Sequence, residues 1–127
     1  LLLKRINPFS FWQSVTGSLD AGERHADAAK RELVEETGLT DQGMLVDKRV
    51  ERIFEIDPRW LSRYPEGVRQ NCEHEWHYRV DTTTDITADP KEHIDWCWVP
   101  IDEAIELLWS WTNREALEQL RANFLVS

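Results

Sequence analysis

Three glutamates, Glu32, Glu35 and Glu36, lie close together in a segment that otherwise favours a helix. No Gly or Pro interrupts residues 25–37, and Gly38 follows at a position where helices commonly end. At about 100° per residue, the three carboxylates share one face of that helix. Like charges at this spacing repel and need a compensating cation. Hard ions such as Mg2+ or Mn2+ bind oxygen ligands and bridge to phosphate, so the pattern indicates a metal-phosphate site. A solvated acidic face is the simpler alternative.

The same helix has a second face that can be buried against a sheet. Its small and apolar side chains cluster roughly 100° away from the carboxylates. They are Ala26, Ala29, Leu33 and Thr37. We therefore expect the acidic face to stay free for ions.

The glutamates belong to a longer pattern that runs over residues 17–39. It fits GX5EX7REUXEEXGU, with U an aliphatic residue, at every defined position. This pattern resembles the box of the Nudix hydrolases, which cleave nucleoside diphosphates linked to another group. The resemblance implies an α/β fold, an α/β/α sandwich with a mixed sheet. The matching residues are Gly17, Glu23, Arg31, Glu32, Leu33, Glu35, Glu36, Gly38 and Leu39.

The resemblance also implies roles for the acidic residues of the box. Glu32, Glu35 and Glu36 would be metal ligands, and Glu32 could also orient or deprotonate the attacking water. Glu23 would be an auxiliary ligand or a support for the site. Arg31 would pair with Glu23 and hold the geometry of the carboxylates.

The loop before the helix completes the implied site. A backbone carbonyl, that of Thr16 or Gly17, commonly adds a ligand to the metal in this family. At position 24 the family often has a capping Ser or Thr, whereas this chain has Arg24. We expect a less well capped helix start and unchanged chemistry.

Composition limits the function classes. A chain of 127 residues predicts a single domain, residues 1–127. The net charge of −9 argues against a nucleic-acid duplex as partner. No apolar run is long enough to span a membrane, and no signal peptide is evident, so we expect a cytoplasmic protein. Cys72 and Cys97 lack zinc-motif spacing and are interpreted as free thiols.

The order of the elements favours interleaved strands and helices. Residues 44–56, 73–81 and 94–98 have strand patterns, the second with one buried face. A long loop rich in Pro and Gly separates the first two strands. Asp102 and Asn113 are candidate caps for two final helices. The first residues, Leu1 to Arg5, resemble the end of a strand, and we expect one or two N-terminal strands to be missing from this sequence.

Four stretches outside the box resemble one Nudix subfamily, the bacterial dihydroneopterin triphosphate diphosphatases. They are F-W-Q-S-V-T-G-S at residues 11–18, R-Y-P-E-G-V at 63–68, N-C-E-H-E-W at 71–76 and S-W-T-N-R-E-A-L-E-Q at 110–119. This resemblance implies removal of pyrophosphate from dihydroneopterin triphosphate in folate biosynthesis, with dATP and other nucleoside triphosphates as further substrates. A hydrolase of ordinary or oxidised nucleotides is the alternative, and a Nudix-like module that only binds a ligand is a further one.

The substrate side of the site must lie outside the box. By the same resemblance, Glu92 would be a further metal ligand or the general base. Trp12 is our candidate for contact with the substrate ring, with Gln13 and Ser14 beside it for polar recognition. Basic residues must offset the charge of a triphosphate, and the candidates include Arg5 and Arg63. The expected partners are a small-molecule triphosphate and Mg2+ or Mn2+, in a monomer or homodimer.

Overall fold

The computed structural model describes residues 1–40 and 44–126. Within these residues the chain forms five strands, three α-helices and one 3₁₀ helix. In chain order they are β1 (Leu2–Arg5), β2 (Phe11–Gln13), α1 (His25–Thr37), β3 (Leu45–Glu55), the 3₁₀ helix (Pro58–Arg63), β4 (Gln70–Tyr78), β5 (Asp95–Cys97), α2 (Ile101–Leu107) and α3 (Trp111–Val126).

The first sheet has β1 in its centre, in the order β2-β1-β5. Both pairings are antiparallel, and Leu3 lies opposite Gln13 on one side and Trp96 on the other. A parallel contact is made by the isolated bridge between Trp12 and Leu108. Leu3, on the central strand of this sheet, is fully buried.

The second sheet is the antiparallel hairpin of β3 and β4. Its residues from Glu73 to Tyr78 are all half-buried, so the prediction of one buried face was wrong. Both faces are covered instead. The Glu73 carboxylate bonds to Thr112 of α3, whereas the ring of His74 stacks on His25 of α1 at 3.6 Å between centroids.

Arg52 attaches this hairpin to α3. Its buried guanidinium donates to Glu115 at 2.8 Å and to Gln119 at 3.0 Å, both on α3, and also bonds to Glu75 on β4. Burying a charge is costly unless it is paired, and here every contact is to a hydrogen-bond acceptor. Arg52 is therefore a structural residue between sheet and helix.

The apolar core joins the first sheet to the last two helices. Leu2 of β1 packs with Ala104 and Leu108, and half-buried side chains surround this cluster. They are Trp12, Cys97, Val99 and Leu117. Burial of such side chains contributes about 25 cal/mol per Å2 of apolar surface, and the cluster fixes β1 and β2 relative to α2.

The helices begin at slightly different residues from those predicted. Pro100 is the N-cap of α2, and Asp102 lies inside its first turn without a capping bond. Asn113 lies inside the first turn of α3 rather than before it. Its side-chain oxygen accepts a hydrogen bond from the backbone N–H of Ser14 at 3.1 Å. Both capping predictions were wrong, and Asn113 instead anchors the segment that leads into α1.

Helix α1 has the predicted bounds, residues 25–37. Gly38 ends it with φ of 73°, a left-handed conformation that glycine adopts without a steric penalty. Arg24 at the N-cap makes no side-chain capping bond, as expected from the sequence. Among the described helices none is long and apolar enough to cross a membrane.

Candidate active site

Arg31 is the cation that compensates the acidic face of α1. Its guanidinium donates two hydrogen bonds to the carboxylate of Glu23, both at 2.9 Å. It also donates to Glu32 at 2.8 Å and to Glu35 at 3.2 Å. A further bond, at 2.7 Å, reaches the backbone carbonyl of Ser18 in the preceding loop. The predicted pairing of Arg31 with Glu23 is present, and the same side chain also holds two of the predicted metal ligands.

Glu23 is held as a carboxylate by this contact. The hydrogen bonds from Arg31 lower its pKa to about 2, and the backbone N–H of Asp20 acts in the same direction. A charge-assisted, bidentate pair of this kind fixes direction as well as charge. Glu23 is therefore connected to Glu32 and Glu35 through Arg31, and its role as an auxiliary ligand or a support stays a prediction.

Glu32 lies against the loop that precedes the helix. A Cβ atom at position 17 would collide with the carboxyl end of Glu32, so the close approach requires Gly17. Partial burial raises the pKa of Glu32, and Arg31 opposes that rise. The glycine of the motif is thus explained by the space that this carboxylate occupies.

Glu36 differs from its neighbours because it is buried. The side chain of Glu35 is 55% exposed, whereas that of Glu36 is only 5% exposed. The expectation of a uniformly free acidic face was wrong at this position. Burial raises the pKa of Glu36 to about 7; a hydrogen bond from His93 acts against that rise and the neighbouring Glu92 adds to it.

The contact between Glu36 and His93 was not foreseen. Nδ1 of His93 lies 2.8 Å from Oε2 of Glu36, a close ionic contact, and neither of these buried atoms makes a hydrogen bond of good geometry in the described part of the chain. On the other side of the ring, Nε2 lies 2.9 Å from the amide nitrogen of Gln13. When that amide donates to Nε2, the proton of the neutral ring is on Nδ1, the nitrogen beside the carboxylate of Glu36.

The sequence did offer a signal for His93, because this residue directly follows Glu92, which was already a candidate metal ligand or base. Glu92 is exposed, yet its carboxylate, that of Glu36 and the ring of His93 have ligand atoms within 4.8 Å of one another. The loop before β5 thus brings a carboxylate from outside the box to the helix. Glu36 and Glu92 both offer carboxylate oxygens there, the donor type that suits a hard divalent ion, whereas Glu32 and Glu35 are not among the ligand atoms that converge at this point.

The predicted substrate-binding residues lie in three places: in and just after β2, at the end of β1, and in the 3₁₀ helix. Residues alternate in direction along a strand, so Trp12 and Gln13 point to opposite faces of β2. Gln13 is buried against His93, whereas Trp12 packs on the core and has the ammonium of Lys4 5.5 Å from its ring centroid. Ser14 is held through its backbone by Asn113. A ligand contact of Trp12 stays a prediction.

The two predicted cations have different surroundings. Arg5 ends β1, and its buried Nε has no hydrogen-bond partner within residues 1–40 and 44–126. Its guanidinium lies 5.9 Å from the ring centroid of Phe11. Arg63 is exposed at the end of the 3₁₀ helix. Of these two arginines, Arg5 has a buried Nε–H donor that makes no hydrogen bond with the described residues.

An aromatic cluster adjoins Arg5 and was not predicted as a unit. Its ring centroids are 4.7 to 5.7 Å apart, and the guanidinium of Arg59 lies 3.7 Å from the centroid of Phe9. Trp109 is the most open member, 41% exposed. The cluster consists of Phe9, Phe11, Trp60 and Trp109.

Comparison with known proteins decides the family. The family model described as the NUDIX domain matches residues 1–120, nearly the whole chain and all of the box. This chain belongs to the Nudix family. It is a Nudix hydrolase, and members of this family generally use divalent metal ions to cleave small phosphate compounds.

Two named relatives of this Nudix hydrolase are dihydroneopterin triphosphate diphosphatases. The protein from Escherichia coli K12 is 36% identical over 126 residues, which cover 97% of this chain and 83% of the relative. The protein from Haemophilus influenzae is 32% identical over 126 residues, which cover 97% of this chain and 78% of the relative. An RNA pyrophosphohydrolase from Wolbachia is 32% identical over 109 residues, which cover 80% of this chain and 66% of the relative.

Solved structures agree on the fold. The structure of the E. coli dihydroneopterin triphosphate pyrophosphohydrolase matches this Nudix hydrolase with a TM-score of 0.89 at 35% identity, over 96% of this chain and 84% of that one. A Caenorhabditis elegans Ap4A hydrolase matches with a TM-score of 0.73 at 21% identity, over 99% of this chain and 85% of that one. The α/β Nudix fold implied by the sequence is confirmed.

Proposed function

We propose that this Nudix hydrolase is a Mg2+-dependent pyrophosphohydrolase that converts dihydroneopterin triphosphate to dihydroneopterin monophosphate and pyrophosphate. The reaction adds one water across a phosphoanhydride bond, and pyrophosphate leaves. Support for the substrate comes from the two relatives named for it, each of which aligns with 97% of this chain. Nucleoside triphosphates such as dATP are proposed as secondary substrates.

The observation that carries the proposed chemistry is the meeting of Glu36 and Glu92. Their ligand atoms lie within 4.8 Å of each other, although one residue belongs to α1 and the other to the loop before β5. With Glu32 and Glu35 they would hold the metal, and a carbonyl of Thr16 or Gly17 would add a ligand from the loop. Bound Mg2+ would neutralise phosphate charge and acidify a bound water.

The other residues of the site position these carboxylates. Arg31 fixes Glu32 and Glu35 by hydrogen bonds and is itself fixed by Glu23. His93 directs a ring nitrogen at Glu36 and is held in turn by Gln13. Outer contacts of this kind orient metal ligands and are typically worth 10- to 100-fold in affinity or activity.

Proton transfer from the attacking water needs a base. Glu32 and Glu92 are the two candidates from the sequence. Partial burial raises the pKa of Glu32, which brings a carboxylate nearer to the range useful for a base at neutral pH. Glu92 is exposed and stands on a loop. We propose Glu32 as the first choice and Glu92 as the alternative.

Recognition of the substrate is assigned to residues of β1, of β2 and the segment after it, and of the 3₁₀ helix. Arg5 offers a buried guanidinium N–H without a partner among the described residues, which suits a phosphate or a polar ring atom. Trp12, Gln13, Ser14 and Arg63 stay proposed contacts. The exposed ring of Trp109, in the aromatic cluster beside Arg5, offers a stacking surface for a pterin or purine.

The test is a comparison of substrates with one enzyme preparation. Pyrophosphate release is measured with Mg2+ for dihydroneopterin triphosphate, dATP and a panel of ordinary and oxidised nucleoside triphosphates. We expect the highest kcat/KM for the pterin compound. Equal or better kcat/KM for a common nucleotide would assign the enzyme to nucleotide hydrolysis instead, and ligand binding without any pyrophosphate release would indicate a binding module.

A further inference from the structure

The hairpin of β3 and β4 carries a second group of metal-ligating side chains. Glu51 on β3 pairs directly with His74 on β4, and Cys72 lies two residues before His74. Residues two apart on a strand, and residues opposite each other on paired strands, share one face of the sheet. Glu51, Cys72 and His74 therefore project from the same face, and they lie outside the Nudix box.

The ligand atoms are close enough for one ion. The carboxylate of Glu51 lies 3.5 Å from Nδ1 of His74 and 4.0 Å from Sγ of Cys72. All three ligand atoms lie within 4.8 Å of one another. Bonds of about 2.0 to 2.3 Å at a tetrahedral zinc ion place neighbouring ligand atoms roughly 3.3 to 3.7 Å apart. Small side-chain rotations would therefore close the site.

The donor set differs from that of the box. A thiolate, an imidazole and a carboxylate suit Zn2+ and other borderline transition metals, whereas Mg2+ strongly prefers oxygen. Cys72 and Glu51 are exposed, so an ion from solvent can reach them, and the Cys72 proton would leave on binding. The two sites can thus be distinguished by the chemistry of the metal.

The ring of His74 is already held in place. It stacks on the ring of His25 with 3.6 Å between centroids and 29° between planes. His25 is the first residue of α1, the helix of the box. A metal on His74 would therefore stiffen the contact between the hairpin and the start of that helix.

We propose that Glu51, Cys72 and His74 form a Zn2+ site on the β3–β4 hairpin, with water in the fourth position. The site is separate from the carboxylate site on α1. It uses a Cys-x-His spacing that fits a strand, where alternate residues share a face, and that differs from the zinc motifs with two intervening residues.

The test uses Co2+ in place of Zn2+ with the full chain. A thiolate bound to Co2+ gives a charge-transfer absorption in the near ultraviolet that carboxylate ligands do not give. We expect this band to appear on titration and to disappear when Zn2+ is added. Cys72→Ser removes the band, whereas Cys97→Ser, at a half-buried cysteine packed on the core, keeps it.

A second variant tests the geometry. His74→Ala is expected to weaken binding of Co2+ by about tenfold or more, because one of three protein ligands is lost. Circular dichroism and Mg2+-dependent pyrophosphate release by Cys72→Ser should match the unaltered protein. Absence of the band in the unaltered protein, or its persistence in Cys72→Ser, would overturn the proposal.

Discussion

Nδ1 of His93 lies 2.8 Å from Oε2 of Glu36, so a buried imidazole from the loop before β5 faces a buried carboxylate of the box helix. The two residues lie far apart in sequence. β5 pairs with β1, whose other neighbour is β2, and the N–H of Thr87 in the loop before β5 donates to the carbonyl of Thr37 at the end of α1. Gln13 on β2 then holds the far side of the ring at 2.9 Å. This contact connects the motif of the family to the rest of the fold.

Two substitutions of His93 test its ring nitrogens Nδ1 and Nε2 separately. In His93→Asn the amide can replace Nδ1 and still face Glu36, whereas in His93→Gln it replaces Nε2 and faces Gln13. We expect His93→Gln to raise the Mg2+ concentration for half-maximal activity by about 10- to 100-fold, and His93→Asn to raise it less. The measurement is pyrophosphate release against Mg2+ concentration.

Thermal unfolding of both His93 variants provides the control. A structural role alone would lower stability in both variants and leave the Mg2+ dependence unchanged. Unchanged Mg2+ dependence in His93→Gln would contradict a positioning role for this residue.

The second prediction concerns the contact of Gly17 with Glu32. In Gly17→Ala the new Cβ collides with the flexible end of the Glu32 side chain, so the carboxylate must move while the backbone can stay. A displacement of about 1 Å in an active site can cost about 100-fold in rate. We therefore expect a loss of kcat near that size with little change in the unfolding temperature.

Ser18→Ala is the matched control, because Ser18 contacts Arg31 only through its backbone carbonyl in the bond at 2.7 Å. Its activity should stay within about twofold of the unaltered enzyme, the range of a surface change. If Gly17→Ala retained the activity of this control, the close approach of Gly17 to Glu32 would have no catalytic importance.

The third prediction is a pH dependence of stability away from the site. Hydrogen bonds from Arg59 lower the pKa of Asp57 from its ordinary value to about 2. A lowered folded-state pKa stabilises the protein above the unfolded pKa, and this contribution is lost as pH falls through the folded pKa. The unaltered protein should therefore have a higher unfolding free energy than Asp57→Asn near pH 5, and this difference should shrink between about pH 5 and pH 2.

Urea unfolding of both proteins across this range measures the effect. Groups outside this pair titrate in both proteins and cancel in the difference. A difference in unfolding free energy that stays constant from about pH 5 to pH 2 would show that Asp57 is not held as a carboxylate by Arg59.

The sequence predicted the local parts of this structure well. Helix α1 has the predicted bounds because its signals are local: helix-compatible residues, and Gly38 in a left-handed conformation at its end. The pairing of Arg31 with Glu23 is the one that the resemblance to the Nudix box implied. Each of these features depends on residues within one short segment.

Contacts between distant segments were not predictable in the same way. His93 faces Glu36 because β5 pairs with β1 and the loop before β5 bonds to the end of α1, and spacing along the chain does not show this. Asn113 was interpreted as a helix cap, because Asn favours caps, but its side chain bonds to Ser14 instead. Cys72 is a free thiol, as interpreted from its spacing, but the spacing does not show that the hairpin places it beside His74 and Glu51.

The central claim is that Glu36 holds the metal that drives pyrophosphate release. Glu36→Gln keeps the shape of the side chain beside His93 and removes a buried charge, so the unfolding temperature should not fall. A metal site contributes several kcal/mol to the transition state, so we expect pyrophosphate release from dihydroneopterin triphosphate at saturating Mg2+ to fall by about 1,000-fold or more.

Glu118→Gln, on the exposed side of α3, makes the same chemical change away from the site and should have normal activity. The decisive measurement is the ratio of kcat between Glu36→Gln and this control, with both proteins shown to be folded. A ratio below about 1 in 1,000 is the predicted result. Near-normal turnover of Glu36→Gln with Mg2+ would contradict the assignment of the metal site.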